Sequence, residues 1–154
     1  KALYEIVLNA QLQAIKAIKP GAAWDEPHNV TLRIITEGLV NLGLLKGNVQ
    51  ELITTNAYKA FYMHRAGHWL GIDVHDVGDY KIDDKWRIME PCMVTTIEPG
   101  IYIAPDNMDV DKKWRGIGIR IEDDVLVTAQ GCEVLSAEAP KQINEIEALV
   151  GRGN

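Results

Sequence analysis

The apolar side chains of this chain change their period once, and that change limits the folds open to it. Over 2–18, Leu3, Ile6, Val7, Ala10, Ala14, Ile15 and Ile18 recur every three or four residues, the spacing of a helix with one buried face. Pro20-Gly21 ends that run. Asp25 stands where an N-cap is needed, with Pro27 in the first turn. Val30, Leu32, Ile34, Ile35, Leu39 and Leu42 predict a second helix, closed by Gly43, and a short third helix is predicted over 48–55. After Tyr58 the texture becomes that of strands. Met93-Val94-Thr95-Thr96-Ile97 is rich in β-branched residues and bounded by Pro91 and Pro99. Residues 118–122 alternate with period two, and Asp123-Asp124 reads as the turn of a hairpin into Val125-Leu126-Val127. Val134-Leu135 marks a further strand end, and Ile143, Ile146 and Leu149 mark a closing helix over 142–150. Helices followed by antiparallel strands predict an α+β fold.

The 154 residues, 47% apolar and 25% charged, suit one unit, with no repeat or low-complexity linker. A chain of this length buries roughly 70% of its unfolded surface, so no disulfide or metal is needed merely to fold. The net charge of −6 argues against nucleic-acid or anionic-membrane partners, which call for a basic patch. No apolar run reaches the roughly 20 residues of a membrane span. Cys92 and Cys132 match no metal-binding spacing and read as free thiols in a reducing, cytoplasmic setting.

The chemistry concentrates in two places. His64, His68 and His75 fall within twelve residues punctuated by Gly67, Gly71 and Gly78, a pattern of close backbone approach to a ligand. His28 stands apart and reads as structural. His64 and His68 have the i, i+4 spacing of a zinc-protease helix, but the Glu required after the first His is Arg65, which excludes that motif. The second place is a pair of strand-end carboxylates. Glu98 is held by the abrupt exit of Pro99-Gly100, and Glu122 shares a face with Arg120, opposite Ile119 and Ile121. A His/Glu/Glu set suits Mn, Fe, Co or Zn, and a carboxylate-rich one leans to Mn.

Three segments carry a resemblance: His68-Trp69-Leu70-Gly71-Ile72-Asp73-Val74-His75-Asp76-Val77-Gly78, Thr96-Ile97-Glu98-Pro99-Gly100-Ile101-Tyr102, and Gly116-Ile117-Gly118-Ile119-Arg120-Ile121-Glu122-Asp123-Asp124. In order and spacing they resemble the bacterial Xaa-Pro aminopeptidases, which share the pita-bread fold with prolidase, methionine aminopeptidase and creatinase. The resemblance implies hydrolysis of the bond between an N-terminal residue and a following proline. Peptides with proline in second position would be the substrates, and a hydroxide bridging two divalent metals, usually Mn2+, the nucleophile. It implies His68 and Glu98 as ligands of one metal, Glu122 as a ligand bridging both, and Glu98 as the proton acceptor and donor. His75 and His64 resemble residues that contact the scissile carbonyl and the substrate proline, and Arg120 and Tyr102 resemble residues that orient an Asp ligand. A prolidase-type dipeptidase and a non-catalytic peptide-binding module on the same fold are the alternatives.

The departures from the family pattern matter as much. The family's two Asp ligands precede the first helix, whereas the only Asp before Asp73 here is Asp25. The expectation is therefore that 1–154 is the C-terminal part of the catalytic domain, starting after those ligands, inactive alone and prone to homo-oligomerise through its uncovered sheet. Arg65-Ala66-Gly67 replaces the usual small spacer between the two histidines, and Cys92 stands where Gly is usual.

Overall fold

The computed structural model describes residues 1–150. Helices α1 (Ala2–Lys16), α2 (Glu26–Asn41) and α3 (Val49–Thr54) come first. Strands β1 (Lys81–Ile82), β2 (Lys85–Trp86), β3 (Val94–Ile97), β4 (Gly100–Tyr102), β5 (Gly118–Arg120), β6 (Asp123–Val127) and β7 (Cys132–Val134) follow, and helix α4 (Ile143–Val150) closes the order. The α+β expectation is met, and the three early helices fall where the periodicity put them. Gly43, at φ 73°, lets the chain leave α2 in the left-handed region, with the Leu44 amide donating back to the Leu39 carbonyl at 2.9 Å. Asp25 occupies the N-cap of α2, but its side chain caps no backbone amide. It sits in the right-handed helical region and accepts instead from Asn29 Nδ2 at 2.9 Å. Asn48, with extended backbone, is the functioning cap of α3, accepting from the amides of Gln50 and Glu51.

The hairpin expected at Asp123-Asp124 does not exist. Both aspartates lie inside β6, which pairs antiparallel with β3, while β5 pairs with β4. The local signal failed because Asp123 is buried, where Lys141 and Ser136 satisfy its carboxylate, so a residue typical of turns is accommodated in a strand. β7 adds to the far side of β6. The segment 66–70 lines the free edge of β3: the Thr96 amide donates to the His68 carbonyl at 3.1 Å and the Leu70 amide to the Val94 carbonyl at 3.2 Å.

α1 joins two apolar clusters. Leu3, Val7 and Ala10 pack with Ile35, Leu39, Phe61, Tyr62, Ile101 and Ile121, while Ala14 and Ile15 pack with Trp24, Met89, Ile97, Val125 and Val127. Between them Gln11, fully buried, donates its Nε2 to Asp123. Both cysteines are free thiols. Cys92 has φ 72°, a conformation that suits glycine and strains most other side chains. No helix among the described residues is long and apolar enough to cross a membrane.

Candidate metal centre

Glu98 and Glu122 occupy the one break in an otherwise continuous ladder. β3 faces β6 with Ile97 opposite Asp123, and β4 faces β5 with Gly100 opposite Arg120. The register is the same on both sides of the break, so carrying it across sets Glu98 opposite Glu122. The Ile121 amide still reaches the Pro99 carbonyl, at 3.4 Å. Like charges directly opposed across strands destabilise a sheet; Arg120 offsets part of that cost at Glu98, and a cation between the carboxylates would offset more. Burial, the Glu98 charge and that of Asp124 together push the Glu122 carboxyl above its ordinary range, against the pull of His68 and Arg120.

His68 completes the set from the third side. Its Nδ1 lies 2.8 Å from the Trp69 carbonyl, which can only accept, so the proton resides on Nδ1. With the ring neutral, as a metal ligand must be, Nε2 is the nitrogen left to ligate, and it lies 3.2 Å from Glu98 Oε1. The main chain around His68 is fixed by Thr96 Oγ1, which accepts from its amide at 3.1 Å, and by Thr95 Oγ1, which donates to its carbonyl at 3.0 Å. Gly67 permits this approach: a Cβ there would overlap the Thr96 carbonyl oxygen. One ligand atom from each of His68, Glu98 and Glu122 lies within 4.8 Å of the others. A neutral imidazole with two carboxylates is a donor set suited to a divalent cation, so these residues fit the metal that the motifs imply.

A chain of hydrogen bonds runs beside this cluster. Arg120 Nε donates to the Tyr102 hydroxyl at 2.7 Å, and Arg120 Nη1 stands 3.6 Å from Glu98 Oε2. Tyr102 lies 2.8 Å from His64 Nε2, and His64 Nδ1 lies 2.7 Å from the Arg65 carbonyl. Because that carbonyl must accept, Nδ1 carries a proton, and in the neutral ring Nε2 accepts from the Tyr102 hydroxyl. Among the described residues the carboxylate within ion-pair distance of Arg120 is Glu98. His75 is exposed, on the 71–78 loop, with its ring centroid 4.3 Å from that of His68.

One residue at the site was missed in the sequence, and His28, read as structural, proves to hold a neighbouring segment. Thr96 Oγ1 donates to Glu98 Oε1 at 3.1 Å. The signal was its position two residues before Glu98 on the same strand face. His28, from α2, accepts the Ala66 amide on Nδ1 at 3.2 Å and so holds the entry to the His68 segment. No local pattern marks that role.

The comparisons with known proteins can now be set beside this geometry. The model of metallopeptidase family M24 matches residues 1–129. The chain belongs to metallopeptidase family M24. It is 51% identical to the Xaa-Pro aminopeptidase of Haemophilus influenzae over 97% of its own length, and it covers 34% of that protein. It superimposes on the aminopeptidase PepP of Pseudomonas aeruginosa with a TM-score of 0.96 and 64% identity, covering 98% of this chain and 34% of that one. With Escherichia coli aminopeptidase P bound to the inhibitor Pro-Leu, the TM-score is 0.92 and the identity 50%, over 97% of this chain and 34% of the other. The expected pita-bread fold is borne out, and the M24 chain spans about a third of the length of these relatives.

Within this M24 segment His28 carries a pH signature. Burial first, then the Arg65, His64 and Lys59 charges, lower its pKa from 6.5 to about 4. Between those values the unfolded chain binds a proton that the folded chain refuses. The stability that depends on a neutral His28 is therefore complete above pH 6.5 and lost as the pH falls toward 4. The contribution is about 2 kcal/mol after allowance for partial exposure. His28→Gln, which keeps an acceptor and removes the titration, is expected to flatten the urea-unfolding free energy between pH 6.5 and 4 relative to wild type. An unchanged slope would contradict this.

Proposed function

We propose that this chain is the C-terminal part of the catalytic domain of a metal-dependent Xaa-Pro aminopeptidase, which releases an N-terminal residue ahead of proline. The observation that carries the reading is the opposition of Glu98 and Glu122 with a ring nitrogen of His68 within 4.8 Å of a carboxylate oxygen of each. Such a cluster is electrostatically unfavourable without a cation and a ready site with one.

His68, Glu98 and Glu122 are the residues that would hold divalent metal, with Mn2+ favoured by the carboxylate content. When bound, the metals supply Lewis-acid activation of water at neutral pH. Glu98, screened from solvent and held by Thr96 and Arg120, accepts the proton released at that site and returns it to the departing proline nitrogen. Tyr102 keeps the Arg120 guanidinium aimed at Glu98 and fixes the His64 ring. His64 and His75 are the residues that would meet the substrate carbonyl and the proline ring. The relatives named above are aminopeptidases, and one was solved with Pro-Leu as inhibitor.

The test is a chimaera in which this segment replaces the matching third of the Escherichia coli enzyme. It is expected to hydrolyse Ala-Pro-Ala and spare Ala-Ala-Ala, to lose activity to a chelator and to recover it with Mn2+. A folded but inactive chimaera sinks the reading. The 154-residue chain by itself, contributing only these three ligands, is expected to be inactive. The free thiols and acidic composition support a cytoplasmic location, and the exposed Ile72, Val74 and Val77 support self-association.

A further inference from the structure

A cleft of about 660 Å3 opens from His68 and is lined by Arg65, Gly78, Tyr80, Lys81 and Trp86. Its far wall is cationic. The Arg65 guanidinium carbon lies 4.4 Å from the centre of the Trp86 ring, and Lys81 Nζ lies 4.6 Å from the same centre. Two cations stacked on one indole repel each other, and neither forms an ion pair with a carboxylate among the described residues. Asp79 also borders the cleft but lies beyond ion-pair distance of both. In a chain of net charge −6, an uncompensated cationic pair opening onto the candidate metal centre calls for an anion.

We propose that Arg65, Lys81 and Trp86 form a subsite for the carboxylate of a short peptide, on the C-terminal side of the bond cleaved at His68. This deepens, and rests on, the reading of the site as an Xaa-Pro aminopeptidase. A peptide has one ammonium and one carboxylate end. The pair repels the first and attracts the second, so the cleft sets the direction in which the substrate lies. The planar guanidinium can grip both carboxylate oxygens, and the ammonium adds a point charge. The indole holds the two cations in place without neutralising them. In the sequence Arg65 marked a departure from the zinc-protease motif and from the usual spacer; the proposed subsite gives that departure a task.

The experiment follows the Trp86 indole N–H resonance of the 154-residue chain during titration with Ala-Pro-Ala, its C-terminal amide, and Ala-Pro-Glu amide. The free acid is expected to bind about five- to tenfold more tightly than its amide, the gain set by two partly exposed charge contacts. That preference should shrink between 50 and 500 mM salt. Recovery of tight binding by Ala-Pro-Glu amide identifies an acidic side chain as a second source of the carboxylate; its failure to recover restricts the subsite to the chain terminus, as proposed. Arg65→Lys should keep only part of the preference, since the charge remains but the two-oxygen grip is lost, whereas Arg65→Met with Lys81→Met, which preserves packing on Trp86, should abolish it. Equal binding of acid and amide, a preference that survives the double substitution, or a silent Trp86 would each overturn the subsite. Mn2+ broadening of the His68 resonances is recorded separately. If it persists while the subsite fails, the aminopeptidase reading stands; if it is absent, that reading falls independently.

Discussion

Glu98→Gln is expected to weaken Mn2+ binding to this chain by at least about a hundredfold, since it removes a charged ligand where loss of a supporting contact alone costs tenfold or more. Three roles meet on that carboxylate: it faces Glu122 across the broken ladder, lies within reach of His68 Nε2, and is held by Thr96 and Arg120. The amide keeps the volume and the Thr96 contact but removes the charge, so the chain should remain folded. The metal-free variant should be slightly more stable than wild type, because a repulsive cross-strand pair has been relieved. Titration calorimetry and thermal melts with and without Mn2+ read both effects. Unchanged affinity, or a variant that still gains stability from Mn2+, would remove Glu98 from the metal site. In the chimaera the same substitution should abolish Ala-Pro-Ala hydrolysis.

Asp123→Ala should cost about 3–5 kcal/mol of stability, the penalty for stranding the partner of a buried ion pair. Asp123 is almost fully buried and receives Lys141 Nζ at 2.8–2.9 Å, Ser136 Oγ at 2.7 Å and the buried Gln11 amide. The node ties α1, β6 and the segment before α4 together, and Tyr4 reinforces it by donating to the Lys141 carbonyl at 2.8 Å. Removing the carboxylate leaves three donors, on Gln11, Ser136 and Lys141, unmatched. Combining Asp123→Asn with Lys141→Met removes both charges and should recover part of the loss. Urea unfolding measures each step, and a loss below about 1 kcal/mol for Asp123→Ala would show that the node is incidental.

Asp123 also shows where sequence reading fails. Two adjacent aspartates before a β-branched run carry the local signature of a turn, and the hairpin drawn from them was wrong. A strand accepts them because Lys141, eighteen residues later, and Gln11, more than a hundred residues earlier, supply partners that no window contains. Asp25 fails in the opposite sense: its position as N-cap is right, but its carboxylate turns to Asn29.

The sequence by itself determined the helical first third, the α+β class, the strand that leads into Glu98 and the strand that carries Arg120, and it marked His68, Glu98 and Glu122 as a candidate ligand set. These follow from local periodicity and from residue types in a fixed order, both carried by the chain's covalent connectivity. Tertiary structure decided the rest. Only the pairing of β3 with β6 and of β4 with β5 sets Glu98 against Glu122, only the Trp69 carbonyl leaves His68 Nε2 free, and only the return of the β1–β2 hairpin brings Trp86 under Arg65 and Lys81. Each depends on groups far apart in sequence or on a backbone direction that residue type does not specify, and their energies become available only once the chain has closed on itself.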